Sequence, residues 1–125
     1  MTTSSISTPP CVVLLVDDES AVLAMMARAL LLAGYAVYTA PNGATALDLA
    51  GELPRPVDLV VTDLRMDPIG GAEMAERLSA RGLASRFLFV SGYGPAADYN
   101  EEFGPFLPKP FSPEQLVAAV SRALT

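Results

Sequence analysis

Three stretches of this chain are apolar without a break: "VVLLV" at residues 12 to 16, "LVV" at 59 to 61 and "FLFV" at 87 to 90. A strand with one wet face alternates apolar and polar side chains. An unbroken run of strand length therefore belongs to a sheet covered on both faces, as parallel sheets are. Parallel neighbours require long crossovers, and the intervening segments carry helical periodicity. Val22, Leu23, Met26, Ala29, Leu30 and Ala33 recur at helix spacing, with Ser20 placed to cap the start and Gly34 to stop the end. Short helices are predicted over 44–50, after "NG", and over 72–81, after "GG". Near the end, "SPEQ" puts Ser112 at an N-cap, Pro113 at the first helical position and Gln115 where a capping box needs it, ahead of an apolar stripe of Leu116, Val120 and Leu124. Strand and helix thus alternate along the chain, which predicts an α/β, doubly wound open sheet with right-handed crossovers.

The 125 residues suit one domain, and 51% apolar with 18% charged is a globular composition. Residues 1–10, "MTTSSISTPP", offer only Ile6 for burial and read as a flexible N-terminal tail ahead of a domain at 11–125. Fourteen acids against eight bases give a net charge of −6, which repels phosphate backbones and argues against direct binding to nucleic acid. Cys11 is the single cysteine, so no internal disulfide forms and a reducing cytoplasm is the simpler setting. Residues 21–40 carry one charge, Arg28, near their middle, where membrane insertion costs about 2.5 to 3.5 kcal/mol. The period also changes after Gly34, at Tyr35, Val37 and Thr39, so helix then strand fits better than a membrane span.

In open α/β sheets ligands bind beyond the carboxyl ends of the strands. The residues found there are Asp17 and Asp18, Asp63, Ser91 and Lys109. Singly, each has an ordinary explanation: acids favouring a helix N-terminus, a turn former, a capping hydroxyl, a solvated ammonium. Together they present carboxylates that would repel one another unless a cation sits among them. Hard oxygen ligands with room for water suit Mg²⁺.

The motifs "LLVDDE", "VVTDLRM", "FVSGYG" and "PFLPKPF", in that order, resemble the receiver domain of bacterial two-component response regulators over residues 11 to 124. The resemblance implies a five-stranded parallel sheet of flavodoxin-like order 2-1-3-4-5 flanked by five helices. It implies Asp63 as phosphoacceptor, and Mg²⁺ held by Asp17, Asp18, Asp63 and the backbone carbonyl of Arg65. Ser91 is then the switch hydroxyl, with Gly92 kept small beside it, Lys109 the partner of the phosphoryl group through a cis Lys109-Pro110 peptide, and Phe106 the switch aromatic. Arg65 and Tyr93 take the positions that tune phosphoryl lifetime. The family is one of signalling modules rather than enzymes acting on other substrates. The chain has no histidine, so a sensor histidine kinase or a histidine phosphotransfer protein is the implied donor and a downstream effector protein the implied reader. No output segment follows the last helix, so a stand-alone receiver or one excised from a larger regulator or hybrid kinase is expected.

Asp67 departs from the family pattern, which puts proline four residues after the acceptor; here Pro68 follows instead. Between Ser91 and Lys109 the sequence "GYGPAADYNEEFGPFLP" leaves only Ala96 to Phe103 for a fourth helix, about two turns. That octet is poor in core aliphatics, so the helix is expected to be short and mobile, the usual symmetric interface weakened and the protein a monomer. Two rival readings are a degenerate receiver that binds partners without phosphorylation, and an aspartate-nucleophile phosphohydrolase of the haloacid dehalogenase type. All five site positions are filled, against the first, and the "DxDxT" signature is absent from "DDESA", against the second.

Overall fold

A computed structural model describes residues 10–92, 99 and 101–125. Its strands are β1 (Val12–Val16), β2 (Ala36–Ala40), β3 (Leu59–Asp63), β4 (Phe87–Ser91) and β5 (Phe106–Pro108). The order in the sheet is β2-β1-β3-β4-β5 and every pairing is parallel. The three unbroken apolar runs form the sheet's centre, and β3 and β4 are buried along their whole length. At the edge, β2 is more open, with Tyr38 and Thr39 exposed and Ala40 its buried residue.

Successive residues on a strand point to opposite faces, and the core divides accordingly. Leu14, Val16, Val60, Phe87 and Phe89 face one way, onto α2 (Gly43–Glu52) and α3 (Gly71–Ala80). Val13, Leu15, Leu59, Val61, Leu88 and Val90 face the other, onto α1 (Ser20–Leu32) and α4 (Pro113–Leu124). Each fully buried leucine on either face contributes roughly 2 to 3 kcal/mol.

The helix boundaries shift slightly from those the sequence predicts. Asn42 caps α2 by accepting from Thr45 N at 2.8 Å. Ser112 and Gln115 form the full capping box of α4, at 3.1 and 2.8 Å. For α1 the cap position is Glu19, not Ser20, which is already helical. The cause lies one turn back: Asp17 Oδ1 accepts from Glu19 N at 2.9 Å and pins the chain before the helix begins. Gly34, at φ 100°, ends the same helix by a left-handed turn.

Five helices were expected and the described residues hold four. The shortened helix over Ala96 to Phe103 falls largely outside the described residues, and Glu101–Phe103 is a turn. Among the described residues, aromatic rings pack on the sheet face there. Phe103 meets Phe87 edge-on at 6.1 Å, Tyr99 meets Phe89 at 5.5 Å, and the Tyr99 hydroxyl donates to Gly104 O at 2.9 Å.

Candidate functional site

The chain runs from β1 outward to β2 and then back past β1 to β3, so the gap between β1 and β3 is where the winding direction reverses. At such a switch point the loops beyond the strands part and leave a crevice. An open cleft of about 690 Å³ lies here, lined by Asp18, Glu19, Asp63, Arg65, Gly92 and Lys109 among polar and backbone-facing residues, with Val22, Met25 and Phe111 as its apolar wall.

Asp17 directly follows β1 and is fully buried; Asp63 ends β3 and is 6% exposed; Asp18 is exposed at the rim. Lys109 follows β5, from the far edge of the sheet, and reaches across. Its Nζ lies 2.9 Å from Asp17 Oδ2, 3.1 Å from Glu19 Oε1 and 3.4 Å from Asp63 Oδ2. The Lys109-Pro110 peptide is cis, as expected, and so is Asp67-Pro68 at the position that departs from the family pattern. Asp63 Oδ1 accepts from Arg65 N at 3.2 Å, and its backbone carbonyl accepts from the Thr62 hydroxyl at 3.0 Å.

Burial raises the pKa of Asp63, and the charge of Asp17 adds to this, while the Arg65 N–H and Lys109 oppose it. For Lys109, burial alone would favour the neutral amine. Pairing with Asp17 and Glu19, and the charge of Asp63, overcome this and hold the ammonium well above its ordinary value.

One lone ammonium does not satisfy the acids around it. Asp17 Oδ2 is buried, and the contact it makes is with the Lys109 ammonium at 2.9 Å. Asp17, Asp18 and Asp63 each offer a carboxylate oxygen, and these oxygens lie within 4.8 Å of one another. An all-oxygen donor set open to solvent on the Asp18 side fits a hard divalent cation that keeps part of its water.

Ser91, 1% exposed, ends β4 one residue beyond Val90, the register partner of Asp63. Its backbone carbonyl accepts from Lys109 N at 2.9 Å, which ties the ends of β4 and β5 together. Gly71 lies against Asp63 so closely that a Cβ there would fall 2.2 Å from the Asp63 carbonyl oxygen. The structure therefore brings Asp17, Asp18, Asp63 and Lys109 into one cluster, with Ser91 on the adjoining strand end and Arg65 and Gly92 on the cleft wall. Phe106 stands apart, half-buried with its ring 5.9 Å from that of Tyr99. Tyr93 lies outside the described residues. Two participants were not assigned from sequence: Glu19, whose partner is 90 residues away, and Tyr99.

The architecture and the cluster define a receiver module. Residues 13–121 match the response regulator receiver domain family, and the chain belongs to it. It is 41% identical over 117 residues to the sensor kinase CckA of Brucella abortus, which covers 90% of this chain and 12% of that protein. It is 35% identical over 113 residues to the transcriptional regulatory protein FixJ of Azorhizobium caulinodans, covering 87% of this chain and 53% of that one. The chain thus spans about half the length, or far less, of these curated relatives. Among solved structures, the receiver domain from hybrid histidine kinase CckA superposes with a TM-score of 0.76 at 34% identity, over 91% of this chain and 99% of that one. The chemotaxis response regulator CheY4 of Vibrio cholerae gives 0.79 at 28% identity, over 92% and 99%. No helix of the described residues is long and apolar enough to cross a membrane.

Proposed function

We propose that this receiver takes a phosphoryl group onto Asp63 from the phosphohistidine of a separate kinase or phosphotransfer protein, and passes the signal on by changing its protein contacts. What supports the reading is the convergence of Asp17, Asp18 and Lys109 on a single buried acceptor carboxylate. The residues in hand contain no histidine, so the donor imidazole comes from elsewhere.

In the transfer an Asp63 carboxylate oxygen forms a bond to phosphorus as the phosphorus–nitrogen bond to the donor imidazole breaks, its electron pair remaining on nitrogen. Asp63 must be ionised to attack, and the Arg65 N–H and Lys109 favour that form against the cost of burial. Lys109 then neutralises charge on the phosphoryl oxygens, and the Ser91 hydroxyl donates to one of them. Asp17, Asp18, Asp63 and the Arg65 carbonyl would hold Mg²⁺, which would supply further neutralisation of the phosphoryl oxygens. Among the described residues, a Cβ at 92 would meet Lys109 Cβ at 3.9 Å, an ordinary van der Waals contact. The small size of Gly92 leaves room for the phosphoryl oxygens. Phe106 and the aromatic cluster around Tyr99 carry the change to an effector protein. The setting is the cytoplasm, the protein acts as a monomer, and the side chains of Arg65 and Tyr93 govern access of water to the phosphoaspartate.

The test is incubation with acetyl phosphate and Mg²⁺ followed by intact mass. A gain of one phosphoryl group that disappears when Mg²⁺ is chelated supports the reading. No gain under any condition would leave a binding module that works without phosphorylation.

A further inference from the structure

Glu19 sits at the N-cap position of α1, yet its carboxylate makes no capping hydrogen bond there. Its backbone N–H is given to Asp17 and its side chain, 61% exposed, turns to Lys109. Its charge suits the N-terminus of the helix, but its one directed side-chain contact among the described residues is with Lys109.

Lys109 faces three carboxylates, and two of them, Asp17 and Asp63, belong to the group that fits a divalent cation. Its closest contact, at 2.9 Å, is with Asp17 Oδ2, the buried oxygen that otherwise lacks a partner. A dication bound by Asp17 and Asp63 takes up their charge and repels the ammonium at the same time. Glu19 is the one carboxylate of the three outside that group. Its exposed side chain is also free to follow the ammonium as it moves, unlike the fully buried Asp17.

We propose, resting on the receiver reading above, that Glu19 is a positioning residue: it receives the Lys109 ammonium when a divalent cation claims Asp17, and holds it at the cleft rim, within reach of Asp63. Glu19 therefore strengthens metal binding without touching the metal. Its effect runs through Lys109 and not through bulk charge alone.

Mg²⁺ affinity measured by calorimetry on the unaltered protein, Glu19→Gln, Lys109→Met and the double variant separates the two routes. Glu19→Gln should weaken Mg²⁺ binding by roughly two- to fivefold when Lys109 is present, as suits a partly exposed ion pair, and far less when it is replaced. Equal weakening in both backgrounds, or none in either, overturns the proposal. Lys109 is the single lysine of the chain, so selective ¹⁵N-lysine labelling yields one ammonium signal and an independent measurement. In saturating Mg²⁺ that signal should be protected from solvent exchange in the unaltered protein and lose protection in Glu19→Gln. Identical exchange in the two overturns the proposal even if Lys109→Met does not fold. An unaltered protein that binds no Mg²⁺ would bring down the receiver reading itself, whereas Mg²⁺ binding that is indifferent to Glu19 brings down this inference alone.

Discussion

The Lys109 ammonium stands nearer to Asp17 than to Asp63, 2.9 Å against 3.4 Å. Without metal, this cation's first task is to neutralise a fully buried carboxylate at the end of β1, and the acceptor carboxylate takes second place.

Lys109→Met should therefore destabilise the metal-free protein, by about 2 kcal/mol, because Asp17 Oδ2 is left buried without a cation. The folded-state pKa of Lys109 is raised, so its stabilisation is complete below the ordinary lysine value, about 10.4, and is lost as pH rises beyond it through the folded value. Urea unfolding of both proteins at neutral and strongly alkaline pH checks the sign: the gap between them should narrow only in alkali.

Asp63→Asn should have the opposite sign. The raised pKa of Asp63 means that the folded state binds its proton more tightly than the unfolded chain does, so stability falls as pH climbs through that interval. The amide removes this penalty. The variant should unfold at higher urea than the unaltered protein at neutral pH and without metal, and its advantage should vanish below about pH 4, where both chains carry a neutral group. A variant less stable at neutral pH would contradict the electrostatic picture.

Two glycine-to-alanine changes should differ in sign although the chemistry is identical. At Gly71 the new Cβ falls 2.2 Å from the Asp63 carbonyl, so α3 must move off the acceptor, at a cost of about 2 kcal/mol. At Gly51, within α2, no described residue would lie within 4 Å of the new Cβ, and alanine should add about 0.5 kcal/mol through helix propensity. Thermal and urea unfolding of the pair measure both.

Tyr99→Phe keeps the ring against Phe89 and Phe106 and removes only the hydroxyl that donates to Gly104 O, so about 1 kcal/mol should be lost. Tyr99→Ala also removes the ring and should cost about 3 kcal/mol. Equal losses would mean that the ring contacts contribute nothing.

Much of the fold was legible because burial on both faces forces unbroken apolar runs: β1 matches "VVLLV" residue for residue, and β3 and β4 extend their runs only by polar residues, Thr62 and Asp63 in one and Ser91 in the other. The capping chemistry at Ser112 could be read directly, since "SPEQ" satisfies its own backbone locally. Ser20 misled for the converse reason. The start of α1 is fixed by a hydrogen bond from Glu19 to the side chain of Asp17, and Asp17 read as a site residue gave no sign of that second role. The helix expected over Ala96 to Phe103 lies largely outside the described residues; what is described there is a turn over Glu101–Phe103 and the rings of Tyr99, Phe103 and Phe106, whose contacts with the sheet and with one another are tertiary and not legible from local pattern. The acids at the strand ends were conspicuous by their charge, whereas the Glu19 pairing with Lys109 joins residues 90 apart and becomes visible only once β1 and β5 are in place.

The most direct measurement is to locate the phosphoryl group. After reaction with acetyl phosphate and Mg²⁺, borohydride reduces an aspartyl phosphate to homoserine, and peptide mapping by mass reads the position. The expected result is homoserine at position 63 alone, and none in Asp63→Asn treated alike. Homoserine at Asp17, Asp18 or Asp67 in the unaltered protein, or a phosphoryl adduct that survives undiminished in Asp63→Asn, would contradict the assignment of Asp63 as the acceptor.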